Sequence, residues 1–210
     1  MAHGMTNKIH ISAITLLTFL VTGLIFFFAI KSAQAYTWTY RDVMTTGTQN
    51  GWQGVGFDTS GNPGIANYRS DTGSLEFALW NGATWDIETV DTTGLQSGKY
   101  SSLIWGSMGG TNRWMISYLA ENAGGTDARL GFAYRVGSGG GTGCTDNDWS
   151  CEIVDDPTTA IKYTSIGIRS GIPVIGYHTT NDNANYAERS PTAFSTQTNP
   201  TANNLNAIKF

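Results

Sequence analysis

Trp85-Asp86-Ile87-Glu88-Thr89-Val90-Asp91 and Trp149-Ser150-Cys151-Glu152-Ile153-Val154-Asp155 carry Trp, Glu, Val and Asp in the same register. Two such segments in one chain mark a repeated supersecondary unit, so the flanking sequence should repeat too. Ile65-Ala66-Asn67-Tyr68, Ile116-Ser117-Tyr118-Leu119 and Ile175-Gly176-Tyr177-His178 each begin with an apolar residue and then a small one. Leu75-Glu76-Phe77-Ala78, Leu130-Gly131-Phe132-Ala133 and Ala184-Asn185-Tyr186-Ala187 share an aromatic-Ala step, and Tyr100-Ser101-Ser102-Leu103 answers Tyr163-Thr164-Ser165-Ile166. Four short strands per unit follow.

The isoleucine anchors lie about 50–60 residues apart. The excess falls at 121–127 and 137–148, Gly-rich polar stretches that read as loop insertions. Units of four short strands at this period predict an all-β fold of β-propeller-type blades, with a β-sandwich as the competing arrangement. Residues 38–44 align with 85–91 and would supply a fourth strand at the outset. Two full sets follow, and the third has its first three strands, at 164–169, 173–178 and 184–189. That makes about three four-stranded blades over 36–190, with 191–210 as a polar C-terminal tail. Closed propellers have about four to eight blades. Three therefore imply either half of a six-bladed homodimer or a partial propeller, a truncated fragment of a larger extracellular one.

Composition agrees with short strands. The 210 residues include 26 glycines and only 13% charged side chains, too few for long surface helices. Seven Trp, nine Tyr and nine Phe give ample area to bury, which excludes disorder. The net charge of −4 speaks against nucleic acid, and Lys8 and Lys31 belong to the leader, so the remainder is more acidic still.

Residues 9–30 are almost continuously apolar, with Lys8 before them and Ala33-Gln34-Ala35 after. These are the parts of a secretory signal peptide over 1–35, cleaved before Tyr36. The apolar stretch is also long enough to serve as an uncleaved N-terminal membrane anchor. Either way the expected location is extracytoplasmic, secreted or at the cell surface, with membrane contact only if the leader is retained. Cys144 and Cys151 are the only cysteines, and in an oxidising compartment their spacing suits a local structural disulfide. A zinc site would need about four ligands, and His178 is the only histidine beyond the leader. No metal or cofactor is implied.

Asp58-Thr59-Ser60-Gly61-Asn62-Pro63-Gly64-Ile65-Ala66, Asp71-Thr72-Gly73-Ser74-Leu75-Glu76-Phe77-Ala78 and Trp80-Asn81-Gly82-Ala83-Thr84-Trp85 resemble blades of secreted bacterial and archaeal β-propeller repeat proteins, loosely sialidase-like. The resemblance implies an exported recognition or scaffold module with a glycan or cell-surface ligand. Its alternative is a sialidase-like or other glycoside hydrolase. Gly82-Ala83-Thr84-Trp85 keeps half of the family's Asp-box, and Tyr40-Arg41-Asp42 is the nearest counterpart of its Arg-Ile-Pro step. Arg69, Arg113, Arg129, Arg135, Arg169 and Arg189 offer no spacing that singles out a carboxylate-binding triad.

General glycoside hydrolysis needs two nearby carboxylates, and Glu76, Glu88, Glu121 and Glu152 are the candidates. Glu88 and Glu152 occupy equivalent repeat positions, however, which points to structure, and no catalytic set is assigned. His178 lacks a Gly-x-Ser-x-Gly elbow. Asp146-Asn147-Asp148 and Asn181-Asp182-Asn183 read as turns rather than calcium loops. Binding candidates are the aromatic and polar residues at strand ends, Trp52, Tyr68, Arg69, Trp105, Tyr118 and His178, with flat faces suited to sugar rings.

Overall fold

The strands form where small residues alternate with large ones. In 53–57 glycines at positions 54 and 56 alternate with Val55 and Phe57, so one face of that strand is nearly smooth and the other bulky. The computed structural model describes residues 37–92, 96–122, 128–157, 160–180, 184–190 and 194–198. Two compact units divide the chain, Met1–Arg41 and Asp42–Phe210. In the first, residues 37–41 carry no regular secondary structure, with Trp38 and Tyr40 exposed. The expected leader, 1–35, lies outside the described residues, as do 181–183. No helix among the described residues is long and apolar enough to cross a membrane.

The second unit contains twelve strands among the described residues: β1 (Gln49–Phe57), β2 (Pro63–Arg69), β3 (Ser74–Trp80), β4 (Trp85–Asp91), β5 (Gln96–Met108), β6 (Thr111–Glu121), β7 (Ala128–Arg135), β8 (Trp149–Asp155), β9 (Ile161–Arg169), β10 (Ile172–Thr179), β11 (Ala184–Arg189) and β12 (Phe194–Thr198). They pair as three antiparallel meanders, β1-β2-β3-β4, β5-β6-β7-β8 and β9-β10-β11-β12. The middle sheet packs between the other two, one apolar cluster on each side.

Gly64 shows why the first contact needs small residues. A Cβ there would stand 2.8 Å from the Trp114 ring, and one at Gly54 would stand 2.7 Å from the backbone nitrogen of Leu103. Trp114 lies with its centroid 5.3 Å from that of Phe77, which is 5.1 Å from that of Trp149. On the other side, Met115, Leu119 and Phe132 meet Ile166, Ile175 and Tyr177.

Polar pairs recur at both contacts. Tyr118 donates to Asp91 at 3.1 Å and Tyr177 to Asp155 at 2.6 Å. Arg135 pairs with Glu88, and Arg189 with Glu152 at 2.8 Å. Burial pushes Glu88 above the ordinary carboxylate value, while the Trp149 indole N–H, 2.8 Å away, and Arg135 pull it back.

The repeated strands Trp85–Asp91, Trp149–Asp155 and Ala184–Arg189 are present as read from the sequence. The propeller is not. Three separate sheets stand without closing or curling into a ring, which overturns both the partial-propeller and the six-bladed readings. The phase also differs: residues 38–44 form no strand, and the last sheet is completed by β12, which lies in the stretch expected to be a polar tail. Each sheet therefore takes its four strands from one continuous segment.

The Cys144–Cys151 disulfide is formed, with Cα atoms 4.9 Å apart. It ties the 137–148 insertion onto β8, and the loop reaches back to the first sheet, where the N–H groups of Thr145 and Asp146 donate to the Val90 carbonyl. Asp146 and Asp148 act as turn residues: Asp146 accepts from the Asp148 N–H at 2.8 Å and Asp148 from that of Gly139 at 2.7 Å.

Candidate functional site

On the side of the first sheet that faces away from the middle one, register places Val55 beside Ile65, Ile65 beside Ala78 and Ala78 beside Ile87. This is an apolar row across all four strands. Val55 is 63% exposed, Phe57 62% and Ile87 46%. The repeat counterparts of Val55, Leu103 and Ile166, are 7% and 8% exposed, and those of Ile65, Ile116 and Ile175, are both 0% exposed. The same face that seals the other two contacts is thus left uncovered on the first sheet. Residues Val43 and Met44 flank it and, with Gln49, Gln53, Val55, Ile65 and Asn67, enclose a groove of about 490 Å³.

The polar residues of the sheet-to-sheet contacts are changed on this face. Asn67 stands where the other sheets have Tyr118 and Tyr177, and it hydrogen-bonds with Gln49 and Gln53 of its own sheet. Trp80 stands where they have Arg135 and Arg189, its ring centroid 5.4 Å from that of Trp85. At the opposite end, the last sheet turns Ser165, Gly176 and Tyr186, and beside them Gly167, Val174 and Glu188, away from the middle sheet. There Gln197 pairs with Tyr186 as Glu88 pairs with Phe77 and Glu152 with Phe132.

A second feature links the sheets along their first strands. Trp52, Tyr100 and Tyr163 occupy equivalent places, with ring centroids 4.5 Å and then 4.9 Å apart. Each sits at a register irregularity, and Tyr100 and Tyr163 have φ of 51° and 50°, a costly conformation for bulky side chains. Beside Tyr100, Lys99 pairs with Glu121 at 2.6 Å and lies 5.5 Å from the centre of the Tyr68 ring.

The residues expected to bind ligand are spread over the three sheets. Trp52 belongs to the aromatic column, Tyr68 is buried under Lys99, and Arg69 is tied to Asp71 at 2.9 Å and Glu76 at 3.2 Å. Trp105 packs against Trp114, Tyr118 is buried on Asp91, and His178 lies half-buried on β10 opposite Lys162 and Ala184. No carbohydrate-binding surface is formed among the described residues, which corrects the glycan-recognition reading.

The glycosidase and sialidase readings fail as well. Glu76, Glu88, Glu121 and Glu152 each hold a different cation. The half Asp-box is an ordinary Asn-centred turn, in which Asn81 accepts from the N–H groups of Ala83 and Thr84. No group of three metal-binding side chains occurs among the described residues.

Val55, Phe57 and Ile87 were not singled out by sequence. The signal was present in the Gly54/Gly56 alternation, which shows that Val55 and Phe57 face the other way. Compared with known protein families and with curated proteins, the chain matches none of them.

Proposed function

We propose that the chain is an exported, non-enzymatic structural subunit that associates with further copies of itself through the open face of its first sheet. The observation that carries this is the exposure of Val55, whose counterparts Leu103 and Ile166 are core, together with that of Phe57 and Ile87 on the same sheet. Export is supported by the leader sequence and by the disulfide.

A second copy fits the face for two reasons. Within the chain, the equivalent face already seats twice on the side that the last sheet leaves outward, so the two open faces are related as the two halves of an existing contact. The charges match too. In sequence register Trp80 takes the place of that contact's arginine, and position 197, a glutamine, takes the place of its glutamate, so neither member of the charged pair recurs. Such a contact is heterologous, one surface against a different one.

The protein exported with its own leader is expected to associate with rising concentration in sedimentation velocity. Replacing Val55 and Ile87 by lysine should weaken that association at least ~10-fold, because charges would be buried without partners. The unfolding midpoint should barely move, since both side chains are exposed. A wild-type protein that stays monomeric at every concentration overturns the reading.

A further inference from the structure

Tyr100 and Tyr163, on the first strands of the middle and last sheets, meet edge to face, with ring centroids 4.9 Å apart and planes at 68°. That arrangement sets the rim of one phenol, where its ortho carbons lie, against the other ring. Tyr163 is 61% exposed, so a reagent in solution reaches it and its ring has room to turn. Trp52 backs Tyr100 at 4.5 Å.

The two phenols are held together from below. Thr164, the neighbour of Tyr163, donates its hydroxyl to the Tyr100 carbonyl at 2.9 Å and shares a hydrogen bond with Ser117 at 2.8 Å. The Ile166 N–H reaches the Ser102 hydroxyl at 3.2 Å. Both tyrosines also keep a left-handed backbone, with φ of 51° and 50°, and such strain in bulky residues clusters where position matters to function. The contact they straddle has no disulfide to brace it. Cys144 and Cys151 are the only cysteines, and their loop fastens the middle sheet to Val90 of the first.

We propose that Tyr100 and Tyr163 are a dityrosine cross-linking site, coupled by a peroxide-driven one-electron oxidant, which bolts the last sheet to the middle one. Each phenol gives up one electron and its hydroxyl proton. The two phenoxyl radicals then form one C–C bond between ortho carbons, and the hydrogens on those carbons move to the oxygens to restore both aromatic rings. The two electrons and two protons released reduce one hydrogen peroxide to two waters. The site lies within one chain and does not depend on self-association.

The test treats the purified exported protein, at low concentration, with stoichiometric hydrogen peroxide and a haem peroxidase. The expected product is a single chain lighter by two hydrogens, with the blue fluorescence of dityrosine, whose digest links the peptides containing Tyr100 and Tyr163. Its yield should not change with protein concentration. The thermal midpoint should rise by about 5–10 °C, as for a disulfide that closes a loop of comparable length. Tyr100→Phe and Tyr163→Phe should each abolish the product, and the second removes a hydroxyl from a largely exposed side chain, so folding is spared. Tyr40→Phe, which removes a phenol that is 88% exposed, should leave the product intact. The proposal is overturned by the absence of dityrosine, by dityrosine found only between chains, by a single-chain cross-link that survives Tyr163→Phe, or by a cross-link that leaves the midpoint where it was.

Discussion

Replacing Trp114 by alanine is expected to lower the unfolding free energy by about 3–5 kcal/mol, the range for deleting a large aromatic from a core. Trp114 is 2% exposed and is the hub of the first contact, touching the Phe77 and Trp105 rings and filling the space that Gly56 and Gly64 leave open. On the side of the first sheet the facing positions are Gly56 and Gly64, which have no side chain to fill the void. At roughly 2–4 °C per kcal/mol for a domain of this size, the melting midpoint should fall by about 10 °C. Thermal unfolding followed by near-ultraviolet circular dichroism checks it. A drop below ~3 °C on the same scale would show that the first sheet contributes little to stability.

Alkaline unfolding carries the second large effect. Tyr118 is fully buried and donates to Asp91, so burial first, and the neighbouring carboxylate next, raise its phenol well above the ordinary value of 10.0. Tyr177 is raised in the same way by burial and by Asp155. A folded-state value above the unfolded one means that the neutral phenol stabilises the fold. That contribution is complete below about pH 10 and is lost as pH rises towards the folded-state values. Unfolding should therefore set in above about pH 10 and involve both contacts. Tyr118→Phe should flatten the pH dependence on that limb while costing about 1–3 kcal/mol at neutral pH, since Asp91 loses a donor in a buried place. An alkaline limb identical in wild type and variant would show that Tyr118 ionises without hindrance.

The strands and their faces were legible in the sequence because both obey local rules. The repeat of Trp85–Asp91 in Trp149–Asp155 reports strand length, strand order and which side chains share a side. How the sheets finish was not legible. An Ile face that packs on a small-residue face is the same chemistry in a closed ring and in an open stack, and only the ends distinguish them. The ends had in fact changed, Asn67 and Trp80 standing in for Tyr and Arg, but a single substitution in a degenerate repeat carries little weight until its counterparts are seen in contact.

Because the pairs Tyr118–Asp91 with Arg135–Glu88 and Tyr177–Asp155 with Arg189–Glu152 are the same two links written twice, the two contacts of the middle sheet are equivalent joints. If the middle sheet were excised at the gene level, Tyr177 and Arg189 would find in Asp91 and Glu88 the acids they already use. Such a chain can shorten or lengthen by whole cassettes, whereas a cut through half a cassette strands an acid or an arginine in the core.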